Sequence, residues 1–351
     1  MKILIKSTKN LTNYYVHAYE TWKKALSLFA DVRYYGEGYD NFLGWDVSDE
    51  DVYNKLDFTP DVELWCGGPG NKKPQYISND FILKNPNKKI PKFILLCDYW
   101  EIIRDSNVNS WNRRELELSG MGIVGYFSFY PQSYNWMTKT CNTIFSKHFE
   151  FPYVYDERFS TQYQDKKWDI NNQGCADLNY PFRHFVRQEI KRSGFNLFAT
   201  DANNHQYKML NKVQDPLELF FYGGDPVTNF SRLMNSCWIT ITDGFSLHSP
   251  CKEKWQLENS DLFLAKYPQA LSSSSVLFCP KIKSSHIDEL IDDYHYVSID
   301  RNNFLEKIEY YLLNKDKLKI ISKNANEWAK ENCSASIVGK RILNQIKESI
   351  S

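Results

Sequence analysis

The sequence predicts an α/β protein made of two Rossmann-like halves, on three observations. Strand-like and helix-like segments alternate from the first residue. The alternation stops near residue 150 and restarts near residue 168. The end of the chain, 302–351, is helical in its periodicity almost throughout. Strands separated by helices point to parallel sheets covered on both faces.

Residues 2–5 form an apolar run of strand length. Residues 14–30 carry Ala18, Trp22, Ala25, Leu26 and Phe29 at the spacing of one helix face. Short apolar runs at 32–35, 61–65, 92–97 and 122–127 read as further strands. The third ends in Cys66-Gly67-Gly68-Pro69-Gly70 and the fourth at Asp98. Phe151-Pro152-Tyr153-Val154-Tyr155-Asp156 and the polar run to Lys167 change character and read as a connector over 150–167. The second half then runs strand 168–170, helix 180–193 closed by Gly194, strand 196–199, helix 227–236, strand 238–242, helix 262–271, and strands 276–279 and 296–299. In the tail Phe304, Ile308 and Leu312 share one face, as do Ile321, Ala325 and Trp328. The expected domains are 1–155 and 165–330, with a C-terminal helix at 331–351 that can pack back on the first. Ligands of such sheets bind at the carboxyl ends of the strands, so the site is expected in a cleft between the halves.

Composition narrows the function. The 351 residues include 43 Lys plus Arg and 43 Asp plus Glu, with 42% hydrophobic, 25% charged and 16% aromatic residues. This is the composition of a globular chain with a substantial core, and without a basic surplus nucleic acid is not the expected partner. No run approaches the roughly 20 apolar residues of a membrane helix. The opening MKILIKSTKNLTNYY turns polar too early for a secretory signal. The eight cysteines form no CxxC pair and several lie in strand-like runs, as expected of reduced thiols in a cytoplasmic protein.

Two segments have the residue types of a phosphate-binding site. The first runs from the strand at 168–170 through Gly174 to Tyr180-Pro181-Phe182-Arg183. Pro181 suits the first helical position, the free N–H groups there attract anions, and Arg183 can form a bidentate clamp on phosphate. Arg183 is equally at home as a solvated surface residue. The second is Asp261 to Ser274, in which Lys266 and Gln269 stand three apart on a helical face ahead of the strand at 276–279. A cation beside an amide can grip a diphosphate and a ribose, or simply end a surface helix. Tyr222-Gly223-Gly224-Asp225-Pro226 is a glycine turn that can wrap a nucleotide base or only reverse the chain. The acidic groups at 49–51 and 292–293 lack metal-ligand spacing, and neither a P-loop nor GxGxxG is present.

The segment Lys266-Tyr267-Pro268-Gln269-Ala270-Leu271-Ser272-Ser273-Ser274, followed by a strand, resembles the nucleotide-sugar motif in the C-terminal domain of GT-B glycosyltransferases. Tyr180-Pro181-Phe182-Arg183 resembles the opening of that domain, and the sequence from 288 to 331 its closing strand, turn and helices. The resemblance to spore-maturation-type and group-1 members covers about 165–335; the first half agrees in pattern only. It implies a GT-B fold and transfer of a sugar from a nucleotide diphosphate donor to a glycan or other hydroxyl acceptor, with no metal needed. It also implies that Arg183 and Lys266 neutralise the leaving diphosphate and that Gln269, where the family usually has Glu, holds the ribose. Gly174, Tyr180, Tyr222 and Gly223 are expected around the donor. Asp261 stands eight positions before Gln269, where retaining members carry an acid. Asp98 and His17 are the candidate bases of an inverting reaction. Trp45, Trp65, Trp100, Trp111 and Trp136 can stack on an acceptor sugar or serve as packing. Two other functions fit the same frame: glycan binding without turnover, and nucleotide-sugar epimerisation.

Overall fold

A computed structural model describes residues 1–7, 14–66, 86–96, 115–116, 118–128, 143–145, 147–150, 153–160, 165–172, 181–201, 208–209, 226–242, 266–282 and 290–350. The chain divides into two units, 1–154 with 335–351, and 155–334.

The first unit contains β1 (Lys2–Lys6), α1 (Tyr14–Ser27), β2 (Asp31–Tyr35), α2 (Asp49–Leu56), β3 (Val62–Cys66), β4 (Lys92–Leu96), β5 (Ile123–Ser128) and β6 (Lys147–Glu150). These strands form one parallel sheet in the order β2-β1-β3-β4-β5-β6. Ile3, Leu4 and Ile5 are all buried, which explains why β1 is an unbroken apolar run: both faces of a parallel sheet are covered. α1 buries Trp22, Ala25 and Leu26, and Trp22 meets Phe127 edge-on at 5.3 Å. Phe29 lies past the helix end and is exposed.

α2 has no counterpart among the sequence expectations. Its first turn is the acidic group 49–51, where the helix N-terminus favours negative charge. Ser48 and Asp51 form a reciprocal capping box, with the Asp51 N–H donating to Ser48 Oγ at 3.2 Å and the Ser48 N–H donating to Asp51 Oδ2 at 3.1 Å. Beneath α2 lies a charged core. Lys6 Nζ is 2.5 Å from Asp49 Oδ1 and 2.9 Å from Glu63 Oε1. Lys92 Nζ is 3.4 Å from Asp49 Oδ2 and 3.8 Å from Glu63 Oε2, and all four side chains are fully buried. Tyr53 Oη and Trp65 Nε1 each donate to Glu63 at 2.6 Å. Two cations and two anions balance, and the extra donors satisfy the carboxylates, which is the condition for tolerating buried charge. Burial alone would raise the Asp49 carboxyl, but the ammonium of Lys6, and then that of Lys92, hold it below the usual carboxylate range.

The second unit contains a 3₁₀ turn (Glu157–Phe159), β7 (Trp168–Asn172), α3 (Pro181–Ser193), β8 (Leu197–Asp201), β9 (Lys208–Met209), α4 (Pro226–Asn235), β10 (Cys237–Ile241), α5 (Lys266–Leu271), β11 (Val276–Cys279), β12 (Val297–Ser298), α6 (Phe304–Leu313) and α7 (Lys315–Cys333). The strand order is β12-β11-β10-β7-β8-β9, with β9 antiparallel at the edge. One face packs Phe182, Val186 and Ile190 of α3 and Phe304 and Ile308 of α6 over the sheet. The other packs Phe230 and Met234 of α4, Tyr267, Ala270 and Leu271 of α5, and Ala325 and Ala329 of α7. Each fully buried aliphatic or aromatic side chain contributes about 1.5–3 kcal/mol. Gly194 follows α3 with φ +82°, the left-handed turn that lets a helix end on glycine.

Of the expected connector beyond β6, residues 153–160 and 165–167 are described. Phe159 is buried, and the Asn235 amide donates to its carbonyl at 3.0 Å. α8 (Ala335–Ile350) closes the chain within the first unit, packed on α1. Gly339 makes that packing possible, since a Cβ there would clash with the Ala25 carbonyl oxygen. No helix among the described residues is long and apolar enough to cross a membrane.

Candidate functional site

In the second unit the first strand, β7, lies at the centre of the sheet, with β8 on one side and β10 on the other. Successive connections therefore depart in opposite directions between β7 and β10, and it is beyond the carboxyl ends at such a switch point that sheets of this kind form a crevice for ligands. β7 ends in Asn171-Asn172, β10 is followed by Thr242, and α3 begins beside them at Pro181.

Arg183 occupies the first turn of α3 and is only 4% exposed, so it is not the solvated surface residue its position in a helix also allowed. A guanidinium Nη2 donates to Thr242 Oγ1 at 3.3 Å, which carries Arg183 from α3 across the switch point to the end of β10. Arg187, one turn further along α3 and also buried, donates through Nε to Asn172 Oδ1 at 2.9 Å and through Nη2 to the Asn172 carbonyl at 2.6 Å. Two guanidiniums on one helix face thus converge on the crevice. An arginine keeps its charge when buried, and the fork of a guanidinium matches the geometry of phosphate.

Lys266 is the first residue of α5 and is half-buried. Gln269, on the same short helix, is 8% exposed, and its Oε1 has no hydrogen-bond partner among the described residues. Asn171 Oδ1 is likewise buried without a partner among them, while the Asn171 amide reaches Thr240 Oγ1 at 3.3 Å. An unpaired buried carbonyl costs about 1–3 kcal/mol, which a ligand hydroxyl can relieve. α3 and α5 pack on opposite faces of the sheet, so Arg183 and Gln269 approach the unit from two sides.

The serines after α5 do different work. Ser272 Oγ donates to the Pro268 carbonyl at 2.6 Å, and Ser274 N donates to Asn235 Oδ1 at 2.7 Å. Ser274, at the position where GT-B motifs usually have Gly, also receives the ammonium of Lys166 on its carbonyl at 2.9 Å. These contacts tie the amino ends of β10 and β11, away from the crevice, and burial lowers Lys166 to about 8.

His17 lies on α1, where the backbone alone is described. Asp98, Gly174, Tyr180, Tyr222, Gly223 and Asp261, together with Trp100, Trp111, Trp136 and the glycine run at 67–70, lie outside the described residues. Trp65 is buried and bound to Glu63, and Trp45 packs on Phe42 at 5.0 Å, so both have packing roles. The sequence reading passed over Arg187, Asn171, Asn172 and Thr242. The spacing of Arg187 from Arg183, one helical turn, and the paired amides ending an apolar strand are the signals that could have found them.

No protein-family model and no curated protein matches the chain. Solved structures do. HepE of Anabaena, in a complex with UDP-glucose, aligns with TM-score 0.61 at 10% identity over 99% of this chain and 100% of that one. An alpha-glucosyltransferase bound to UDP and a 13-mer DNA with a central A:G mismatch aligns with TM-score 0.62 at 14% identity, again over 99% and 100%. A glycosyltransferase from Rickettsia africae aligns with TM-score 0.60 at 11% identity over 100% and 98%. The chain has the fold of these GT-B glycosyltransferases along its whole length, and at such identity the likeness defines the fold.

Proposed function

We propose that the protein is a glycosyltransferase that moves a sugar from a nucleotide diphosphate donor to a hydroxyl acceptor without a metal. The observation that carries this reading is Arg183, a buried guanidinium in the first turn of a helix that opens at the switch point of a Rossmann-ordered sheet. The fold supports it as analogy, since the solved neighbours are glycosyltransferases and several hold UDP or UDP-glucose.

In this reading the second unit binds the donor. Arg183 and Lys266 take the diphosphate, and Gln269 accepts a hydrogen bond from a ribose hydroxyl through its unpaired Oε1. Arg187 is a positioning residue that fixes the end of β7 through Asn172. Tyr180, Gly174, Tyr222, Gly223 and Asp261 complete the donor pocket, and the first unit binds the acceptor, a glycan or other hydroxyl compound. If the reaction inverts, a base, Asp98 or His17, removes the acceptor proton as the oxygen bonds to the anomeric carbon. The bond from that carbon to the diphosphate breaks, and the diphosphate leaves with the electron pair into the field of the cations. An intracellular setting accords with this reading, as Cys237 and Cys279 are buried and not bridged by a disulfide.

A thermal-shift panel of UDP, GDP, CDP, TDP and ADP, with and without magnesium, tests the proposal. One nucleotide is expected to raise the melting temperature, equally in EDTA, by about 2.7 kcal/mol of linkage at a hundredfold excess over Kd. Arg183→Ala and Lys266→Ala are expected to abolish the shift. Absence of a shift with every nucleotide overturns the donor site. Binding without sugar transfer or donor hydrolysis leaves a glycan-binding protein instead.

A further inference from the structure

The first unit contains a pocket of about 450 Å³, shallow and open to solvent, at the edge of its sheet. Lys23 of α1, Val32, Arg33 and Tyr34 of the edge strand β2, Tyr39 and Asn41 of the loop beyond it, and Lys55 and Leu56 of α2 line it. α1 covers one face of the sheet through Trp22 and α2 the other through Val52 and Leu56, so the cavity lies where both helices overhang the last strand. Three cations from three elements converge there, and among the described residues no carboxylate lines the space. Asp31, outside the lining, forms a long ion pair with Arg33, with its Oδ1 4.0 Å from Arg33 Nε.

The cations are held on aromatic surface. Lys23 Nζ stands 4.5 Å over the Tyr34 ring, and Tyr34 and Tyr39 are 5.3 Å apart between centroids. Arg33 is fixed by donating to the Leu56 carbonyl at 2.9 Å and by the Phe58 ring beneath it at 5.0 Å. An anion seated among these groups meets preplaced positive charge, and an apolar sugar face meets a tyrosine edge. The pocket is open, so a ligand there would stay partly in solvent and be held chiefly by charge. A nucleic-acid strand would need a basic surface far beyond three side chains, and the whole chain has as many acidic as basic residues.

We propose that this cavity binds a saccharide carrying an anionic group, a phosphate or a carboxylate, with the anion between Lys23, Arg33 and Lys55 and the ring against Tyr39. Calorimetric titration of the full chain with glucose 6-phosphate, glucuronic acid, glucose and inorganic phosphate tests it. One or both charged sugars are expected to bind at least about tenfold more tightly than glucose and than inorganic phosphate, and more weakly as salt is raised. The preferred one identifies the anion. The double variant Lys23→Gln, Lys55→Gln removes charge only from side chains at the surface, so its melting temperature should match that of the parent, and it is expected to lose at least about tenfold in affinity. Arg183→Ala is expected to leave this binding intact, which separates the cavity from the donor site. Equal affinity in the double variant, binding of glucose as tight as that of the charged sugars, or loss of binding in Arg183→Ala overturns the proposal. Inorganic phosphate binding as tightly as glucose 6-phosphate overturns its saccharide part.

Discussion

Gln269 is the residue whose two roles can be separated most cleanly. Its Oε1 is buried without a partner among the described residues, so the amide costs the free protein stability. Gln269→Leu should therefore melt at the same or a higher temperature than the parent while binding the preferred nucleotide about three- to tenfold more weakly. A variant that melts lower and binds equally well would make Gln269 a packing residue. The buried quartet behaves in the opposite way. Removing Glu63 leaves Lys6 and Lys92 sharing one carboxylate in a fully buried place, and Glu63→Ala should lose about 3–5 kcal/mol in urea denaturation. His148 supplies a pH dependence. Burial lowers it from 6.5 to about 4, so the unfolded chain binds its proton first. Its contribution is complete above pH 6.5 and is lost as pH falls toward 4, by about 3 kcal/mol. His148→Phe should flatten that part of a stability profile.

At the scale of elements, close approach decides. α8 rests on α1 at Gly339, where a Cβ would meet the Ala25 carbonyl. Gly339→Ala must push the helices apart, against the gain in helix propensity, and should cost about 1–3 kcal/mol by thermal unfolding. Asn235 at the end of α4 links three pieces: it donates to Phe159 and accepts from the N–H and hydroxyl of Ser274. Such elements were only partly legible. The 3.6-residue apolar rhythm of α3, α6 and α7 places Phe182, Val186, Ile190, Phe304, Ile308, Ile321 and Ala325 in the core, as the periodicity indicates. α2 has a polar sequence and only Val52, Tyr53 and Leu56 to bury, so its capping box, not its hydrophobicity, announces it. The helix expected over 262–271 is described only at Lys266–Leu271, leaving Asp261 outside. β6 and β9 are short edge strands with little apolar signal.

For the whole molecule, the two parallel sheets with their covering helices place the chain among GT-B folds despite identities of 10–14%. Residue types and their periods are local properties, and they determined the alternation, the helical tail and the helix opening at Pro181-Phe182-Arg183. Strand order is a property of the folded chain. Only the tertiary structure decided that β7 neighbours both β8 and β10, so that Arg183 reaches Thr242 and Arg187 reaches Asn172 at one crevice. It also decided that Lys6, Asp49, Glu63 and Lys92, scattered over the first 92 residues, neutralise one another. Local sequence sets which face a side chain takes, whereas charge pairing and burial depend on which distant strands become neighbours, and that is fixed when the core closes.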